Sequence, residues 1–146
     1  YQTLKLISRP GSERIVRYAF EFARRNNRKK VTCFTKDNIM KMTDGLFLDR
    51  FKAAAKDFPE IQTADVIIDA LCMNLVVRPQ QYQMIVLPNL QGDIVSDLAA
   101  GLVGGLGFAP SSNIGDGAVI SQRRQNAHFS GLQFARSGSN HFCGGN

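Results

Sequence analysis

The sequence is poor in cysteine: Cys33, Cys72 and Cys143 stand far apart, with no C-x-x-C spacing. A disulfide framework or a thiolate zinc centre is therefore excluded as the organising device, and a reducing compartment is expected. No apolar run approaches the roughly 20 residues that cross a bilayer, so no membrane partner is expected. The first residues carry no charged, apolar and small-residue succession of the kind that marks a secretion signal. Beyond Asp116 the chain has arginines but no acidic side chain. The glycine-rich residues 98–110 (LAAGLVGGLGFAP) lack the order G-x-G-x-x-G and follow a helix-like segment instead of joining strand to helix. The dinucleotide-fingerprint and P-loop readings therefore fail, which leaves close helix packing or a loop near a ligand.

What is present suits one ordinary domain. The chain has 146 residues, of which 44% are apolar, enough for a core and too many for wholesale disorder. Its formal charge of +6 is uneven, with Arg24, Arg25, Arg28, Lys29 and Lys30 crowded at one helix end. Cations there complement the helix dipole and stay solvated. A nucleic-acid partner would need aromatic side chains interleaved with the basic ones, and none accompany this run, so none is expected.

Strand-like and helix-like segments alternate. Residues 4–8 read as a short strand closed by Arg9-Pro10-Gly11, with Ser12 as the cap of a helix whose apolar face is Ile15, Val16, Ala19, Phe20, Phe22 and Ala23. Residues 30–35 (KVTCFT) alternate and read as a strand. A second helix is expected over 44–58, stopped by Pro59, then a strand over 66–68 ending at Asp69 and a helix over 70–77. The apolar residues 84–87 form a strand broken by Pro88-Asn89, and a helix through Asp93, Asp97 and Ala100 follows. This order argues for an α/β layered architecture. After Ile120 the composition shifts to Ser, Asn, Gln, Gly and Arg without a sustained period, so residues 1–120 are expected to form the organised domain and 121–146 a disordered tail.

Four side chains suggest chemistry, each beside a plainer explanation. Asp93 and Asp97, four apart, share one helix face just past an apolar strand, where hard divalent ions are held by one or two carboxylates. They could equally be a helix cap and a solvated side chain. Asp69 repeats the pattern at another strand end. Lys36 leaves a strand, with Asn38 two residues on, and a lysine so placed can serve in acid–base chemistry or simply stay solvated.

Taken together, TKDNIMKMTDGLF (35–47), VIIDALCMNLVVRPQQY (66–82) and LPNLQGDIVSDLAAGLVGGLGFAPSSNIGD (87–116) resemble the lysine-bearing, second-subunit aspartate and metal-binding segments of the isocitrate and isopropylmalate dehydrogenase family. The resemblance covers residues 3–120 and implies part of that family's layered fold. It implies that Asp93 and Asp97 are metal ligands, that Asp69 reaches the same Mg²⁺ or Mn²⁺ from a partner subunit, and that Lys36 is the catalytic lysine, also donated across the interface. Asn38 resembles the asparagine near the nicotinamide of NAD, with NADP equally open. The implied reaction oxidises a 2-hydroxy tricarboxylic acid by hydride transfer and then releases CO₂, with the metal assisting and Lys36 serving proton transfer. NIMKMTDGLF looks more like isocitrate dehydrogenase than its isopropylmalate counterpart, and homoisocitrate dehydrogenases resemble residues 97–116 almost equally. A non-catalytic regulatory subunit is the alternative of another class, against which the intact set of four speaks.

The sequence departs from the family pattern in two places. The N-terminal part bearing the substrate-gripping residues and the catalytic tyrosine is absent, and Tyr1 does not match that tyrosine. After Ile120 the family's Glu-x-x-His-Gly-(Ser/Thr)-Ala-Pro adenosine loop is replaced by SQRRQNAHFSGLQFARSGSN, so no cofactor role is carried to His128. A fragment, inactive alone and with its tail from an altered reading frame or alternative splicing, is the resulting expectation. The parent would be a homodimer or related oligomer with shared active sites, in a bacterial cytoplasm or a mitochondrial matrix.

Overall fold

Helix α1 (Arg9–Arg25) starts where Pro10 falls in the first turn, a position that needs no N–H and suits proline's fixed φ. Ser8 caps it, accepting from the Gly11 N–H at 3.2 Å, while the Ser12 hydroxyl donates to the Ser8 carbonyl at 2.9 Å. At the other end Asn27 takes a left-handed φ of 53°, and Arg28 N–H returns to the Ala23 carbonyl at 2.8 Å, closing the carbonyls of the last turn. The computed structural model describes residues 1–105, 111–114, 119–122, 133–136 and 141–144. Along these run β1 (Lys30–Thr35), α2 (Asp44–Ala55), β2 (Gln62–Ile67), α3 (Ile68–Val77), β3 (Met84–Leu87) and α4 (Asn89–Leu102). Four further strands follow: β4 (Ser111–Ile114), β5 (Val119–Gln122), β6 (Gln133–Arg136) and β7 (His141–Gly144).

The strands form one sheet in the order β2-β1-β3-β6-β7-β4-β5. The first four are mutually parallel, and the rest join antiparallel. From β1 the chain steps outward to β2 and then returns to the opposite side of β1 as β3. That reversal makes a crevice beyond the carboxyl ends of β1 and β3, the place where open α/β sheets hold ligands.

Because successive strand side chains point to opposite faces, the central strands feed two cores. Val31 and Cys33 of β1, with Met84 and Val86 of β3, pack against α1 and α2. Phe34 of β1, with Ile85 and Leu87 of β3, packs against α3 and α4. The fold is therefore a three-layer α/β/α arrangement, as the alternation of segments implied.

Several boundaries differ from the sequence reading. Residues 4–8 are not a strand: they have no ladder partner among the described residues, and Leu4 and Leu6 are exposed. Ser8, not Ser12, caps α1. Strand β2 begins at Gln62, four residues before the apolar signal, because an edge strand paired on one side tolerates exposed polar residues. Helix α2 ends at Ala55, and Phe58 enters the core from the turn that follows. Within the glycine-rich stretch, Gly104 and Gly105 close the end of α4, and residues 106–110 lie outside the described residues. Gly104 has φ 109°, and its N–H and that of Gly105 return to the carbonyls of Gly101 and Ala100 at 3.2 and 2.8 Å. Much of the expected tail lies outside the described residues; within it, 121–122, 133–136 and 141–144 are strand.

Candidate functional site

Of the polar residues singled out by the sequence, Lys36, Asn38 and Asp69 lie at the carboxyl edge of the parallel strands. β1 and β2 end in register, Thr35 opposite Ile67, so Lys36 and Asp69 leave neighbouring strands at the same edge. The Lys36 ammonium donates to the Asp69 carboxylate. The Lys36 carbonyl accepts from the amides of Ile39 and Met40 at 3.1 and 2.8 Å, which folds residues 36–40 into a tight turn. Thr35 Oγ1 donates to Asp37 at 2.9 Å in the same turn, and Asn38 sits exposed at its tip.

A residue that the sequence reading treated only as a helix start stands at the centre of this edge. Asp44 is fully buried. Its Oδ2 accepts both the Lys36 N–H at 2.8 Å and the Gln91 side-chain amide at 2.7 Å, and its Oδ1 accepts from the Lys5 ammonium. Burial works to raise its pKa, but the hydrogen bonds from Lys5, Gln91 and Lys36 and the charge of Lys5 win, holding the carboxyl below the usual carboxylate range. The local signal was only an acid at a helix start. Apart from the adjacent Thr43 hydroxyl at 3.5 Å, its donors come from residues 5, 36 and 91, which no local pattern connects.

Asp93 and Asp97 lie on α4, exposed, one turn apart on the side away from buried Val95. Leu90 and Ile94 share that outward side and are 63% and 60% exposed. Asp69 belongs to a similar surface on α3, where Met73, Val76 and Val77 follow it at helical spacing and are also exposed, while Leu71 and Leu75 turn inward. No three His, Cys, Asp or Glu side chains among the described residues come close enough to hold a metal together. Asp69 thus sits with Lys36, not with Asp93 and Asp97. A cleft of about 480 Å³ opens between residues 5–8, the start of α1 and the start of α4, and Lys5, Arg14, Asn89 and Asp93 line it.

The donor chemistry fits a hard cation in part. Two adjacent carboxylates on one exposed helix face supply oxygens and carry a repulsion that a divalent ion would relieve. A complete shell needs ligands from elsewhere. Among the described residues no helix is long and apolar enough to cross a membrane.

Comparison with known proteins gives the family of the chain. The family described as "Isocitrate/isopropylmalate dehydrogenase" matches residues 1–130, ten residues past the expected end of the organised part. A 3-isopropylmalate dehydrogenase of Archaeoglobus fulgidus is 55% identical over 128 residues, covering 88% of this chain and 39% of that protein. A mitochondrial regulatory subunit of an NAD isocitrate dehydrogenase from Dictyostelium discoideum is 54% identical over 119 residues, covering 82% of this chain and 33% of its own. The crystal structure of isocitrate dehydrogenase from Methylococcus capsulatus superposes with a TM-score of 0.79 at 44% identity, over 93% of this chain and 36% of that one. The chain thus spans well under half the length of the proteins it matches, and it belongs to the isocitrate/isopropylmalate dehydrogenase family.

Proposed function

We propose that this chain carries the metal and lysine corner of an enzyme that oxidatively decarboxylates isocitrate to 2-oxoglutarate with a nicotinamide cofactor. The observation that supports this most is the gathering of Lys36, Asp69 and the start of α4 at one sheet edge, beyond the point where the chain reverses its strand order. In this reading Asp93 and Asp97 hold Mg²⁺ or Mn²⁺, and Asn38 lies near the nicotinamide of NAD or NADP. When bound, the ion supplies positive charge that favours loss of the substrate's hydroxyl proton. Lys36 gives or takes a proton at Nζ, and its pairing with Asp69 fixes where that nitrogen sits. Lys5 and Arg14 beside Asp93 suit the cleft to a small polycarboxylic acid.

A second copy of the chain, as in a homodimer, completes the site. Asp69 and the Asp93–Asp97 pair stand on outward helix faces that also expose Met73, Val76, Val77, Leu90 and Ile94, an arrangement suited to burial against a partner. Two other readings have relatives in their favour. The archaeal relative's name favours 3-isopropylmalate as substrate, and the Dictyostelium name favours a regulatory role. A bacterial cytoplasm or a mitochondrial matrix would house any of these.

Mn²⁺ titration with isocitrate, followed by water-proton relaxation, tests the assignment. Saturable binding that disappears in Asp97→Asn is the expected result. Binding that Asp97→Asn leaves unchanged, or none in the parent chain, overturns it. Isocitrate replaced by 3-isopropylmalate, with tighter Mn²⁺ binding as the readout, separates the substrate readings. The chain alone is expected to give no isocitrate-dependent NADH or NADPH, and turnover would show that the site is already whole.

A further inference from the structure

Asp44 touches neither candidate half-site chemically, yet it is bonded to the backbone of one and to the first turn of the other. We infer that Asp44 is a positioning residue that locks the lysine-bearing turn to the metal-bearing helix, so that neither half-site can shift without the other; the functional meaning of the lock rests on the reading proposed above. The lock is a single oxygen. Asp44 Oδ2 accepts the Lys36 N–H and the Gln91 Nε2–H, at 2.8 and 2.7 Å. Gln91 stands two residues before Asp93, on the opening turns of α4.

Three observations argue for a positioning function over incidental packing. First, a fully buried carboxylate is costly unless it is well supplied with donors, and beside a long 3.5 Å contact from the neighbouring Thr43 hydroxyl its donors come from three separate segments: residue 5, the turn after β1 and the helix after β3. Second, Gln91 is oriented for this bond alone. Its Oε1 is buried with no hydrogen-bond partner among the described residues, and turning the amide over would set that oxygen against the carboxylate. Third, the two segments diverge after their strands, since α2 lies on one face of the sheet and α4 on the other. Asp44 at the start of α2 spans that divergence. In an assembly where Lys36 and Asp69 serve one site while Asp93 and Asp97 serve another, the same bond would transmit a displacement of the metal helix to the neighbouring site's lysine.

Amide hydrogen exchange of the purified chain tests the lock without requiring turnover. Asp44→Ala is expected to speed exchange by roughly tenfold or more at two places, Ile39 and Met40 in the lysine turn and Gly92 in α4, while Phe20 and Ile85 stay protected. Pairing Asp44→Asn with Lys5→Met restores protection at both, because the asparagine oxygen can replace Oδ2 and its NH₂ no longer meets an ammonium. Should Asp44→Ala unfold the chain, Gln91→Leu decides the question: it alters only α4, and it should still speed exchange at Lys36. Unchanged exchange at either segment in Asp44→Ala, at Lys36 in Gln91→Leu, or a paired variant that behaves like Asp44→Ala would each overturn the lock. The functional reading fails separately, through absent Mn²⁺ binding in a chain whose exchange pattern is intact.

Discussion

One sheet carries two different helical layers. The layer of α1 and α2 is closed by the chain itself. Phe20 lies stacked between Phe51 and Phe58, with ring centroids 5.3 and 5.1 Å away, and Arg24 sits 4.9 Å over the Phe58 ring. Ion pairs Arg17–Asp57 and Arg50–Glu13 tie its rim. The layer of α3 and α4 buries Leu71, Leu75 and Val95 inward but leaves a row of apolar side chains facing out, with the candidate carboxylates among them. Helices that only needed to cover the sheet would show polar outer faces. The first layer reads as scaffold, and under the function proposed above the second is a surface for a partner copy.

The largest expected effect tests the scaffold half of that contrast. Phe20→Ala removes a fully buried ring from between two others and should cost about 3–5 kcal/mol, read as a fall in the denaturant midpoint. A cost below about 1 kcal/mol would mean that the aromatic stack does not anchor this layer. Ile94→Lys tests the other half. It should leave folding stability within about 0.5 kcal/mol, because the side chain is already exposed, yet weaken self-association by roughly 2 kcal/mol or more. Sedimentation velocity reads this directly, and a parent chain that stays monomeric at every concentration would break the comparison.

The two layers also differed in how much of them could be read from sequence. α1 and β1 were legible because their apolar residues follow the helix and strand periods closely and their buried faces are their own. Lys36 and Asp69 stood out as individual residues because each lies just past a strand, and Asp93 and Asp97 because they share one face of the helix after β3. What joins them was not legible. Asp44 looks like any acid at a helix start until residues 5, 36 and 91 are brought together by the fold. Residues 4–8 misled for a related reason: a short apolar run suggests a strand, but a strand needs a neighbour to bond, and pattern alone supplies none. The glycines at 104 and 105 end α4 through backbone geometry that no residue pattern distinguishes from a loop.

A smaller effect concerns the acid that joins the layers. Because the folded Asp44 carboxyl ionises below the usual range, the unfolded chain binds more protons in the window between the two values, so stability rises with pH there. The contribution is fully present above the ordinary carboxylate pKa of about 3.9 and is lost as pH falls through the lower folded value. Urea midpoints measured from pH 5 downward should therefore fall less steeply in the Asp44→Asn, Lys5→Met pair than in the parent. Equal slopes would show that this acid contributes nothing to acid sensitivity.

The smallest expected effect is the one that separates the layers most sharply. Asp93 and Asp97 are like charges one helical turn apart on an exposed face, a pairing that costs a helix about 0.2–0.5 kcal/mol. Asp97→Asn should therefore raise the unfolding midpoint slightly in metal-free buffer. The same change should remove the Mn²⁺-dependent stabilisation that the parent gains from ligation, since a ligand that binds only the folded state stabilises it by mass action. A substitution in the scaffold layer moves stability the same way with or without Mn²⁺. If Asp97→Asn instead destabilises the chain equally in both buffers, Asp97 is part of the scaffold after all, and the division between a finished layer and a functional one collapses at that residue.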